Sequence, residues 1–68
     1  MKLYHKEKIP NRKPIYYPAV AGFIFDDMPF LSATEANNMG RDLLMALSKD
    51  PDLIFDWEEK YGVVSEEI

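Results

Sequence analysis

Ile15-Tyr16-Tyr17-Pro18-Ala19-Val20-Ala21-Gly22-Phe23-Ile24-Phe25 is the stretch that decides the fold of this chain. Aromatic and β-branched residues dominate it, and such side chains suit the pleated, half-buried surface of a strand. Successive strand residues point to opposite faces. One face carries Tyr17, Ala19, Ala21, Phe23 and Phe25, the other Tyr16, Val20 and Ile24. A strand apolar on both sides predicts cover on both sides, or a docking surface. Pro18 has no N–H to donate, so the strand is expected to begin there, bulge there or lie at an edge. Gly22 leaves a gap or a bend.

Before this stretch, Met1 to Ile9 alternates loosely and is rich in lysine, which fits an edge strand. Pro10-Asn11-Arg12-Lys13-Pro14 then breaks regular structure and favours a turn. After it, Asp26-Asp27-Met28-Pro29 ends the strand. Ser32-Ala33-Thr34-Glu35 reads as a capping box, with Ala36, Met39, Leu43, Ala46 and Leu47 following at helical spacing. Gly40 within that helix is about 1 kcal/mol worse than Ala, so a start at Asn38 competes with one at Ser32. Ala36 and Gly40 also offer a small-residue notch where another backbone can pack closely. Asp50-Pro51 predicts a second helix, with Asp50 as N-cap and Pro51 at the first position. Its stripe is Leu53, Ile54, Trp57 and Tyr61, and Gly62 falls where a C-cap glycine belongs. Residues 63–68 read as a frayed tail or a short extra strand.

The expected fold is therefore α+β, a small β-hairpin followed by two short helices on one face (ββαα). Two strands seldom make a stable sheet alone, so a second chain is expected to complete it. At 68 residues the chain, 1–68, is read as one small domain. A core of this size is marginal, and with no cysteine there is neither a disulfide nor a thiolate metal site to support it. Stability is expected from a partner chain or from an unusually aromatic core. No apolar run reaches the roughly 18 residues of a membrane span, and the N-terminus has no apolar signal core. Together with the lack of thiols this fits the cytoplasm.

Charge is unevenly distributed. Residues 1–14, a basic N-terminal arm or edge strand, carry five cations against Glu7, a balance of +4, while the remainder carries three cations against eleven acids, a balance of −8. Lys6, Lys8, Arg12 and Lys13 with Tyr16 form a candidate nucleic-acid surface, the cations for phosphates and the tyrosine for stacking. The acidic remainder argues against it, because nucleic-acid domains usually show a basic balance. An acidic rim around aromatics suits docking on another protein, including one that itself binds nucleic acid. The contact residues expected there are Tyr16, Tyr17, Phe23, Phe25 and Trp57, with Asp52, Asp56 and Glu59 as the rim. The competing reading makes the aromatics core and the acids a solvated face.

No catalytic constellation is found. His5 has no recognisable nucleophile near it in sequence, Ser32, Ser48 and Ser65 lack a nucleophile-elbow setting, and three scattered glycines build no phosphate loop. Asp50, Asp52 and Asp56 fail the calcium-loop pattern, since Ile54 and Phe55 stand where a ligand and a glycine are required. Asp26-Asp27 reads as a solvated turn. No metal or cofactor is expected. Tyr17-Pro18-Ala19-Val20 followed by a Thr34-Glu35-Ala36 helix start resembles HicB-type antitoxin domains over the central third of the chain; that family's glycine-containing strand and Pro-Asp turn are missing here. The reading that follows is a non-enzymatic interaction module, an inhibitor, regulator or accessory subunit that self-associates, with a nucleic-acid accessory protein as the alternative.

Overall fold

A computed structural model describes residues 2–62. It contains three strands, β1 (Tyr4–Glu7), β2 (Ile15–Val20) and β3 (Phe23–Ile24), followed by two helices, α1 (Ala33–Lys49) and α2 (Leu53–Tyr61). The strands form one antiparallel sheet in the order β1-β2-β3. The fold is α+β, as the sequence predicts. The tail expected over 63–68 lies outside the described residues.

The decisive stretch is not one strand but two. Ala21 and Gly22 both have positive φ, 55° and 85°, and they form the two-residue loop between the opposed Val20 and Phe23. Positive φ at both central positions is the signature of a type I′ turn, whose twist matches that of paired strands. The chain therefore folds back and supplies a third strand from within itself.

Pro18 sits inside the central strand, which differs from the expected start, bulge or edge. Its carbonyl accepts from the Phe25 amide at 2.9 Å. The return bond would need a Pro18 N–H. The Phe25 carbonyl instead accepts from the Met28 amide at 3.1 Å. The missing donor thus falls where β3 stops and the chain turns away, and the Phe25 carbonyl is not left without a partner. Further along, Tyr16 and Phe30 exchange two bonds of 2.8 Å on the same side of β2.

Between β1 and β2, Pro10 and Asn11 are the central residues of a turn closed by the Arg12 amide on the Ile9 carbonyl at 3.1 Å. Proline followed by a positive-φ residue, here Asn11 at 62°, is the pattern of a type II turn.

Ser32 caps α1 with its side chain accepting from the Glu35 amide, so the helix starts there and not at Asn38. The notch is also as expected. Ala36 and Gly40 are buried, and a Cβ on Gly40 would lie 2.7 Å from Leu3 Cβ and collide with the Leu3 carbonyl. The Leu3 amide donates to Asn37 Oδ1 at 2.7 Å, which fixes the start of β1 against the helix.

The start of α2 differs from expectation. Asp50 ends α1, its amide bonded to the Ala46 carbonyl, and Asp52 is the N-cap without a side-chain cap bond. The Leu53 and Ile54 amides reach back only to the Asp50 and Pro51 carbonyls, so Pro51 opens a tight turn and the helix proper begins at Leu53. The predicted stripe Leu53, Ile54, Trp57 and Tyr61 does face the core, and Gly62 caps the end at φ 78°.

The core is aromatic. Val20, Phe23, Phe25 and Trp57 form its centre. The Trp57 ring meets Phe25 edge-on at 4.9 Å and Phe23 at 6.2 Å, and Phe25 lies 4.7 Å from the Tyr61 ring. Edge-to-face pairs at these separations add about 0.5–1.5 kcal/mol each beyond area burial.

Candidate functional site

Directly opposed residues of an antiparallel pair share a face. Tyr4 opposes Pro18, Lys6 opposes Tyr16, and Val20 opposes Phe23. These residues form the face toward the helices, where Pro18, Val20, Phe23 and Phe25 are buried. The other face carries His5, Glu7, Ile15, Tyr17, Ala19 and Ile24. Of those six residues Glu7 is exposed, the other five are half-buried and none is buried. The His5 ring stacks on Tyr17 at 6.5 Å and 19°, and His5 Nε2 approaches Glu7 Oε1 at 4.0 Å. Ile15, Tyr17, Ala19 and Ile24 thus form an apolar patch bordered by one His–Glu pair. The sequence puts Tyr17 and Ala19 on one face of the strand, but Ile15 and Ile24 join them only once the turn and the register are known.

The aromatic contact set must be corrected. Phe23, Phe25 and Trp57 are only 5 %, 1 % and 7 % exposed, because the hairpin and α2 close over them. They build the core and are withdrawn from any surface. Tyr16 also turns to the helix side, with its ring 5.8 Å from Tyr4. Asp52, Asp56 and Glu59 are exposed on α2 as expected. The aromatic ring beside them is Phe55, 65 % exposed, which lies within one helical turn of all three. Asp and Glu around an outward Phe form a rim of the kind the sequence suggests, on a different aromatic.

Two grooves flank β1. One, of about 410 Å³, is lined by Lys6, Lys8, Ile9, Pro10, Arg12 and Pro14. The other lies between the start of β1 and α1 and is lined by residues that include Lys2, Tyr4, Asn37 and Arg41. Lys2 Nζ stands 5.2 Å from the centre of the Tyr4 ring. Three of the residues expected to meet nucleic acid, Lys6, Lys8 and Arg12, therefore converge, while Lys13 and Tyr16 do not line that groove.

The remaining polar cluster is structural. Tyr61 donates its hydroxyl proton to both Asp27 oxygens, at 2.9 and 3.1 Å, and Lys60 Nζ lies 3.4 Å from Asp27 Oδ2. Burial pushes the Asp27 carboxyl up, but the bonds from Tyr61 and Lys60 outweigh it and hold the group below its ordinary value. Burial, then the bond to Asp27, raises the Tyr61 phenol. The Asp27 bond raises Lys60. Asp27 is thus more than a solvated turn residue, since it ties the β3–α1 connection to the end of α2. Among the described residues no group of three His, Cys, Asp or Glu side chains is arranged to hold a metal ion, and no helix is long and apolar enough to cross a membrane.

No protein-family model matches this chain, and no curated protein or solved structure matches it either.

Proposed function

We propose that the protein is a non-enzymatic protein-interaction module, a small inhibitor, regulator or accessory subunit, which docks through the open face of its sheet. The observation that carries this is the patch of Ile15, Tyr17, Ala19 and Ile24, half-buried on the face of the sheet opposite the buried Pro18, Val20 and Phe23. A second copy is a fitting first occupant. The chain carries a net charge of −4, but among the described residues the strands bring only His5 and Glu7 as acidic or basic side chains to this face, so two copies can meet there with little like-charge repulsion. The acidic α2 surface around Phe55 is then free for a further partner.

Light scattering over a concentration series, on the natural chain and on Tyr17→Lys, tests the reading. The expected result is a reversible dimer that Tyr17→Lys returns to a monomer. A natural chain that stays monomeric at every concentration, with Tyr17→Lys no different, overturns docking of a second copy on this face.

The nucleic-acid alternative has weaker support. Lys6, Lys8 and Arg12 converge and Tyr16 stands opposite Lys6, but Tyr16 does not line their groove, and the sequence pI of about 4.7 opposes a polyanion.

A further inference from the structure

We propose that the outer edge of β1 accepts an extended acidic peptide from a partner protein, added as a fourth strand to the sheet. The site is the edge and not the open face, so it stands independently of self-association.

The first observation is the direction of the backbone groups. Tyr16 directs its N–H and C=O away from β1, to Phe30, and the Pro18 carbonyl goes to the same side, to Phe25. The intervening residues of β2 therefore turn toward β1, as the bond of 2.9 Å from the Ala19 amide to the Leu3 carbonyl confirms. In an antiparallel pair the bonded residues exchange both groups. Tyr17 opposes His5 and Ile15 opposes Glu7, so His5 and Glu7 point inward. The amides and carbonyls of Tyr4 and Lys6 then point outward, and no described strand pairs with them. Such a row is a template for strand addition.

The second observation is the charge along that row. The two grooves at the ends of β1 are lined by Lys2 and Arg41 at one end and by Lys6, Lys8 and Arg12 at the other. These are five of the chain's eight lysines and arginines. Among the described residues no Asp or Glu lines either groove. Lysine on an edge strand also blunts aggregation. That purpose needs only the strand's own residues, whereas Arg12 comes from the turn and Arg41 from α1.

The two observations together select the occupant. A second copy adding its own β1 would bring lysine-rich strands side by side, which is unfavourable. A nucleic acid would satisfy the cations and the outward N–H groups through its phosphates, but these only accept, so donors for the Tyr4 and Lys6 carbonyls would have to come from bases or sugars, which lack the alternating donor and acceptor spacing of a strand. An extended peptide supplies both donors and acceptors, and acidic side chains on it meet the five cations.

The probe is a fluorescein-labelled alternating Glu-Val peptide about six residues long, the usual length of a strand. It is titrated onto the full chain beside a Lys-Val counterpart and a single-stranded DNA of matched charge. Amide exchange at Tyr4 and Lys6 is followed by NMR. The expected result is that the acidic peptide binds, weakens with added salt and slows exchange at Tyr4 and Lys6. The double variant Lys6→Glu, Lys8→Glu should weaken it by about tenfold or more. Both positions are exposed, so the variant should fold. No binding, unchanged exchange at those two amides, equal binding of the Lys-Val peptide, or tighter binding of the DNA each overturns the proposal. None of these outcomes bears on the Tyr17→Lys dimer test.

Discussion

Gly40 shows how one missing methyl group can fix an arrangement. A helical glycine costs about 1 kcal/mol relative to Ala, yet here it gives Leu3 its place. Gly40→Ala regains that propensity but drives a methyl into the Leu3 backbone, and overpacking of that sort costs about 1–3 kcal/mol. Urea denaturation should show a net loss of up to about 2 kcal/mol, where helix propensity alone would predict a gain. The notch is readable in the sequence from the spacing of Ala36 and Gly40. Its occupant is not, because Leu3 is held by Asn37, 34 residues further along the chain, and periodicity reports only local order. Asp27 carries a second residue-scale prediction. Its folded value is lowered, so the stability it supplies is complete above its unfolded value of about 4 and is lost as pH falls through the folded one. Tyr61 is raised, so its part is complete below about 10 and is lost as pH climbs past the folded value. Melting temperatures of the natural chain and Asp27→Asn should therefore differ at neutral pH and converge in acid. A constant gap down to pH 2 would remove Asp27 from the pH dependence.

Among the elements, α2 is the one whose two sides do opposite things. Trp57 anchors it to Phe23 and Phe25, while Phe55 points to solvent. Phe25→Ala should cost about 3–5 kcal/mol, comparable to what a core of this size supplies, so that variant should be largely unfolded by circular dichroism. Phe55→Ala should change stability by no more than about 0.5 kcal/mol. Comparable losses in the two variants would contradict the burial pattern. Both helices were legible, because Ser32, Gly62 and the apolar stripes are local signals. The sheet was legible only in part. Ala21-Gly22 is not the Asn-Gly or Asp-Gly that announces a tight hairpin, so the run from Ile15 to Phe25 reads as one strand. The aromatics on it then look available for contact, when the turn in fact folds them into the core. Pro18 looked like a strand boundary for the same reason, since the substitute bond from Met28 depends on the chain doubling back.

For the molecule as a whole, the segregation of charge seen in the sequence survives folding, with cations along β1 and acids on α2. The predicted consequence differs for the two surfaces. Self-docking on the apolar face should raise the melting temperature with protein concentration, and added salt should disturb it little because, among the described residues, the strands bring only His5 and Glu7 to it as acidic or basic side chains. A melting temperature independent of concentration would count against it. Charge segregation was legible because it needs only counting. The edge strand was legible too, from its lysines; which of its backbone groups stay free, and which side chains share the outer face, were not, since both depend on register. The closure of this fold also sets an order of events during synthesis. The bonds from Leu3 to Asn37 and from Tyr61 to Asp27 each span 34 residues, and the core is lidded by Trp57. A nascent chain that has been made only as far as α1 can seat its N-terminus but still leaves Phe23 and Phe25 wet. The native packing must wait for the ribosome to pass residue 61, and until then the inner face of the three-stranded sheet has only α1 to cover it.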